Sequence, residues 1–133
     1  MNITALNSIL ELLLDNNPSL KTVMIVSVDG LPLVSKSNVD TDEEKISAVS
    51  SLVMSSLEKV AGELALGEFE NAVIRSKDGV VFIYDLDKEG TLVAVANKSV
   101  KLGLALYELK KAAADVEQVL KSTGSSATAG ESV

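Results

Sequence analysis

The chain has 133 residues, of which 47% are hydrophobic and 23% charged, enough for one compact core and too few for two. It contains no cysteine and no histidine, which excludes disulfides, structural zinc, cysteine nucleophiles, Ser-His triads and histidine acid/base chemistry. A formal charge of −7, with one arginine among 12 basic residues, opposes affinity for phosphate backbones, so no nucleic acid partner is expected.

Residues 3–14 place Ile3, Leu6, Ile9, Leu10, Leu13 and Leu14 at steps of three and four, an amphipathic helix ended by Asn16-Asn17-Pro18. Val23-Met24-Ile25-Val26 is a short β-branched run, as expected of a strand covered on both faces. Asp29-Gly30 suits a tight hairpin turn, and residues 31–36 supply the return strand, where Pro32 predicts an edge position. A long helix is predicted from Thr41, whose spacing to Glu44 fits a capping box, to about Leu66, with Gly67 as the stop. Residues 71–77, 80–84 and 92–96, joined by turns at Asp78-Gly79 and around Lys88-Glu89-Gly90, read as an antiparallel meander. A last helix from about Ser99 carries Leu102, Ala105, Leu106, Leu109, Ala113, Val116 and Leu120 along one stripe. Residues 122–133, rich in Ser, Thr, Gly and Ala, are expected to form a disordered tail. No apolar run approaches the ~20 residues a membrane-spanning helix needs, so a soluble cytoplasmic protein without direct membrane insertion is expected.

Little in the chain points to chemistry. No phosphate-cradling glycine motif occurs, and Gly30 and Gly79 read as turn residues, so no cofactor is expected. Asp40, Asp42, Glu43 and Glu44 lack the spacing of a calcium loop and suit the positive end of the helix dipole, so no metal site is expected. Asp85, Asp87 and Glu89 alternate but fall at a turn with nothing nearby to desolvate them, which predicts a solvated loop. Arg75 has two readings, a charge supplied in trans to a GTPase or a residue guarding an edge strand, and the second is preferred. Residues 25–30 echo 74–79, as any two hairpins with Asp-Gly turns do. Residues 40–70 hold eight acids against two lysines, while residues 98–121 hold five lysines against three acids, as oppositely charged solvated helix faces would.

The long helix is more informative. At 100° per residue, Ile46, Val49, Val53, Leu57, Val60 and Leu64 fall within about 60° of one direction and are predicted to lie on the sheet. Met54, Ala61 and Ala65 form an apolar shoulder suited to another helix, and Lys45, Lys59 and Glu63 form the opposite shoulder. Ala48, Ser51, Ser55 and Gly62 make a small, smooth face that is either ordinary surface or a place for close approach by a partner.

The element order, the segment from Val23 through Asp29-Gly30-Leu31-Pro32-Leu33, the long helix, the Lys77-Asp78-Gly79 hairpin and the strand at 92–96 leading into Asn97 resemble the roadblock/dynein light chain family, most closely its single-domain bacterial and archaeal members. The likeness spans residues 3–120 and rests on these features together. It implies an α+β domain over residues 1–121 in the order α-β-β-α-β-β-β-α, with a five-stranded antiparallel sheet sandwiched between a long central helix and the two terminal helices. It also implies a homodimer in which strand 71–77 pairs with its symmetry mate and the long helices lie side by side. Met54, Leu57, Ala61, Leu64, Ala65, Ala72, Val73, Ile74 and Arg75 are the expected dimer contacts, and Ala48, Ser51, Ser55 and Gly62 the expected partner-binding face. Members of the family serve as dimeric platforms for Ras-like small GTPases, some as activators of hydrolysis, others as scaffolds or motor subunits. The resemblance therefore implies a non-enzymatic regulatory module with no catalytic residues of its own. Two rivals are a scaffold subunit without activating function and a small-molecule sensor, the latter opposed by only four aromatics (Phe69, Phe82, Tyr84, Tyr107) to line a pocket.

Overall fold

The computed structural model describes the backbone of residues 1–132 and the side chains of residues 1–122. The tail expected over residues 122–133 therefore lies, apart from Ser122, outside the residues whose side chains are described. The elements run α1 (Ile3–Asn16), β1 (Leu20–Val26), β2 (Pro32–Ser37), α2 (Glu43–Glu63), β3 (Asn71–Ser76), β4 (Gly79–Asp85), β5 (Thr91–Asn97) and α3 (Leu102–Ser132). The strands form one antiparallel sheet in the order β2-β1-β5-β4-β3, leaving β2 and β3 as its edges. Pro32 is accordingly on an edge strand, where its missing N–H costs no ladder bond.

Strand alternation divides the core. Val23, Ile25, Phe82, Ala94 and Ala96 point to one face, where α1 and α3 cover them with Leu6, Leu10, Leu13, Leu109 and Val116. Met24, Val26 and Val93 point to the other, beneath Ile46 of α2. The unbroken apolar run in β1 is thus buried on both sides. The α2 layer is the thinner one, and this asymmetry shapes the rest of the molecule.

Four local expectations are corrected. Asp42, not Thr41, caps α2, accepting from the Lys45 N–H at 3.0 Å, because the Thr41 hydroxyl is engaged with Thr22 at 3.0 Å and Ser37 at 3.1 Å. The helix stops at Glu63, short of Gly67. Its closing bonds run from Leu66 N to Ala61 O and from Ala65 N to Gly62 O, which is Schellman geometry with Ala65 in the left-handed region at φ 54°. Gly79 is not a positive-φ turn residue. It lies in β4, where a Cβ would stand 2.8 Å from the Ala96 carbonyl oxygen of β5, so the close backbone approach requires it. Asn97 Oδ1 accepts from Ser99 N at 3.0 Å in the turn before α3, which starts at Leu102 and not near Ser99.

Candidate protein-docking site

The long helix carries the surface of interest. Its buried residues are Ser47, Ser50, Met54 and Ala61, at the three- and four-residue steps of one face. Serine and alanine let the helix lie close to the sheet, and Met54 supplies the bulk. Two sequence expectations are thereby exchanged. Met54 and Ala61, expected as dimer contacts, are 6% and 8% exposed and seat α2 on the sheet. Val49, Val60 and Leu64, expected in the core, are more than half exposed, as is Leu52. Ile46, Val53 and Leu57 lie half-buried between the two directions. The reason is the thin α2 layer, which Met54 and the small Ser and Ala side chains fill and which leaves Val49, Leu52, Val60 and Leu64 no room beneath the helix.

The β3 edge is a second uncovered feature. Ala72 and Val73 are half-buried and Ile74 and Arg75 exposed, and β3 is paired only with β4. Ala65 is exposed at the helix terminus. Arg75 makes no ion pair among the described residues. A row of unpaired backbone groups and a line of exposed Val and Leu are each features that soluble proteins cover.

The opposite flank of α2 borders a groove of about 590 Å³. Ser51, Ser55 and Gly62 line it, bringing three of the four expected partner-binding residues together, whereas Ala48 is exposed outside it. Its far wall comes from the β1–β2 turn and from the β4–β5 turn, where Asp87 and Lys88 have φ values of 50° and 69°, a pair of left-handed residues that turns the chain tightly. Glu58, Glu68 and Asp85 bring carboxylates to it, and Lys88 pairs with Glu68 at 3.4 Å.

Asp85 corrects another expectation. It is half-buried at the end of β4, and burial pushes its carboxyl above the usual range, helped by the charges of Glu58, Asp87 and Glu68 and opposed by a hydrogen bond from the Lys88 backbone. Asp87 moves the other way. Its exposed carboxylate accepts a hydrogen bond from Lys121 of α3, which holds it below the ordinary value. The sequence shows these acids alternating but not that three segments close around one of them. Among the described residues no group of three or more acidic side chains is placed to hold a metal ion.

The Roadblock/LC7 domain profile matches residues 6–96 of the chain. The chain belongs to the roadblock/LC7 domain family. This roadblock/LC7 chain is 30% identical to an uncharacterized protein of Methanocaldococcus jannaschii over 104 residues, which span 78% of this chain and 90% of the relative. Myxococcus xanthus MglB has the same fold, with a TM-score of 0.84 at 18% identity, covering 92% of this chain and 99% of that one. A Roadblock/LC7 domain of Streptomyces avermitilis follows at 0.79 and 17%, covering 86% and 97%. Among the described residues of this roadblock/LC7 chain, no helix is long and apolar enough to cross a membrane.

Proposed function

We propose that this roadblock/LC7 chain is a cytoplasmic homodimeric regulatory module that binds a Ras-like small GTPase and acts on its GTP hydrolysis as an activator, using the partner's own catalytic groups. The observation that carries the reading is the exposed apolar stripe of α2, together with the unpaired β3 edge. A second copy related by a two-fold axis would pair β3 with β3, extend the sheet, and cover Val49, Leu52, Leu57, Val60 and Leu64 with their own symmetry mates. Ala65, Ala72, Val73, Ile74 and Arg75 lie at the same seam. The small flank with Ser51, Ser55 and Gly62 then faces outward on both protomers, available to the GTPase.

Light scattering at micromolar concentration tests the dimer, and a stable monomer overturns it. A pull-down with a Ras-like GTPase from the same genome, loaded with GDP or a GTP analogue, tests the partner, and retention in neither state leaves the scaffold reading in its place. If the GTPase is retained, hydrolysis with Arg75→Ala decides whether this exposed arginine contributes. Stimulation undiminished by the substitution is expected.

A further inference from the structure

The groove on the small flank of α2 has a chemistry of its own. At 100° per residue, the mean direction of Ser51, Ser55, Glu58 and Gly62 lies roughly 170° from that of Val49, Leu52, Leu57, Val60 and Leu64. A partner covering the stripe therefore leaves the groove open. Its apolar lining includes Met54, Phe69 and Val28, and its charge is lopsided. Three carboxylates meet one ammonium, and that ammonium, Lys88, is already paired with Glu68. Glu58 and Asp85 are left without a cationic partner among the described residues.

Thr91 supplies an independent observation. It is 8% exposed, it lines the groove, and its hydroxyl makes no hydrogen bond among the described residues. The Thr91 oxygen is not sealed from water, so it stands free to accept from a donor arriving through the groove. Asp85 points the same way, since a carboxylate taken partly out of water gains most from a cation that shares its environment.

We propose that the groove receives an arginine side chain of the docked partner protein, its stem along Met54, Phe69 and Val28, its guanidinium paired with Asp85 and Glu58 and donating to Thr91 Oγ1. Arginine fits better than lysine because its planar fork can reach a carboxylate and a hydroxyl at once. A divalent cation fits worse, since the described carboxylates are not grouped to hold a metal. The surplus of acid over base across residues 40–70 gives a basic partner segment long-range attraction to the same flank. The assignment rests on the proposed partner-docking role of α2.

The test is a titration of the isotope-labelled full chain with N-acetyl-arginine amide, followed by NMR of the backbone amides, with the uncharged isostere N-acetyl-citrulline amide in parallel. Saturable shifts confined to groove amides such as Ser27, Gly62, Phe69 and Thr91 are expected with arginine and not with citrulline. Asp85→Asn and Glu58→Gln are each expected to raise the midpoint by roughly tenfold, the loss of one charge-assisted contact. Glu43→Gln, the same charge change in the exposed first turn of α2, should leave the midpoint unchanged. Absent shifts, shifts spread over the acidic surface, equal response to citrulline, or an unaltered midpoint in both groove variants overturn the proposal. No GTPase is in the tube, so these outcomes reject only the groove. A GTPase not retained in the pull-down while arginine still saturates the groove rejects only the docking reading.

Discussion

Asn17 Nδ2 donates to Glu108 Oε2 at 2.6 Å and to the Leu13 carbonyl at 2.9 Å, tying the end of α1 to the side of α3 across 91 positions of sequence. Asn17 is 6% exposed, so the Leu13 bond is buried and the Glu108 bond partly so. Asn17→Ala leaves a helix-terminal carbonyl and a carboxylate short of a donor. At fixed protein concentration, urea unfolding should show a loss of about 2 kcal/mol. Asn17→Asp should cost more, because it sets a second negative charge against Glu108.

The exchange of faces on α2 gives a pair of substitutions with opposite signatures. Met54→Ala empties a buried site and should lower stability by about 3 kcal/mol while leaving the oligomeric state alone. Val60→Asp, on the exposed stripe, should leave a folded chain by circular dichroism and shift light scattering to the monomer. If Val60→Asp unfolds the chain and Met54→Ala dissociates it, the assignment of faces is reversed.

Backbone conformation predicts two further changes of opposite sign. Ala65 closes α2 at φ 54°, where an L-residue is strained, so Ala65→Gly should raise the melting temperature, equivalent to about 1 kcal/mol. Gly79→Ala puts a Cβ against the Ala96 carbonyl, a backbone atom that cannot rotate aside, and should cost about 2 kcal/mol or more.

The two aspartates at the β4–β5 turn respond to pH in opposite directions. The Asp85 carboxyl is raised by burial, so ionised Asp85 weighs against folding at neutral pH. The wild type recovers that stability as pH falls through its raised folded value toward the ordinary aspartate value. Asp85→Asn should melt higher than wild type at neutral pH, with the gap closing on acidification, and a gap constant with pH would sink the assignment. The Asp87 carboxyl is lowered by the Lys121 hydrogen bond, so its contribution is present above the unfolded-state value and lost as pH falls through the folded one. The Lys121 ammonium is raised by the same bond, present below its unfolded-state value and lost as pH rises through the folded one. Lys121→Met should flatten both limbs of the melting curve against pH.

The fold was largely legible because its signals are local. The three-and-four spacing of α1 and α3, the apolar run of β1, the Asp29-Gly30 turn and the meander each follow from a short window, and their order resembles the family to which the chain belongs. Local chemistry misled where two candidates stood side by side. Thr41 and Asp42 are both competent caps, and the choice fell to Asp42 because Thr22 and Ser37 hold the Thr41 hydroxyl. On α2, hydrophobicity alone selects the Val and Leu stripe as the buried face. What overrides it is volume, since the shallow space above the sheet is taken by Met54 with Ser47, Ser50 and Ala61, and by part of Ile46, which leaves Val49, Leu52, Val60 and Leu64 outside. The groove is the extreme case. Glu58, Asp85 and Thr91 are ordinary residues in their own neighbourhoods, and only the sheet order and the path of α2 bring them to one cavity. Sequence by itself determined the elements and the absence of His and Cys chemistry, because those depend on residue type and spacing. The tertiary structure alone decided which face of α2 is covered and where charge is left unpaired, because burial depends on the space the other elements leave.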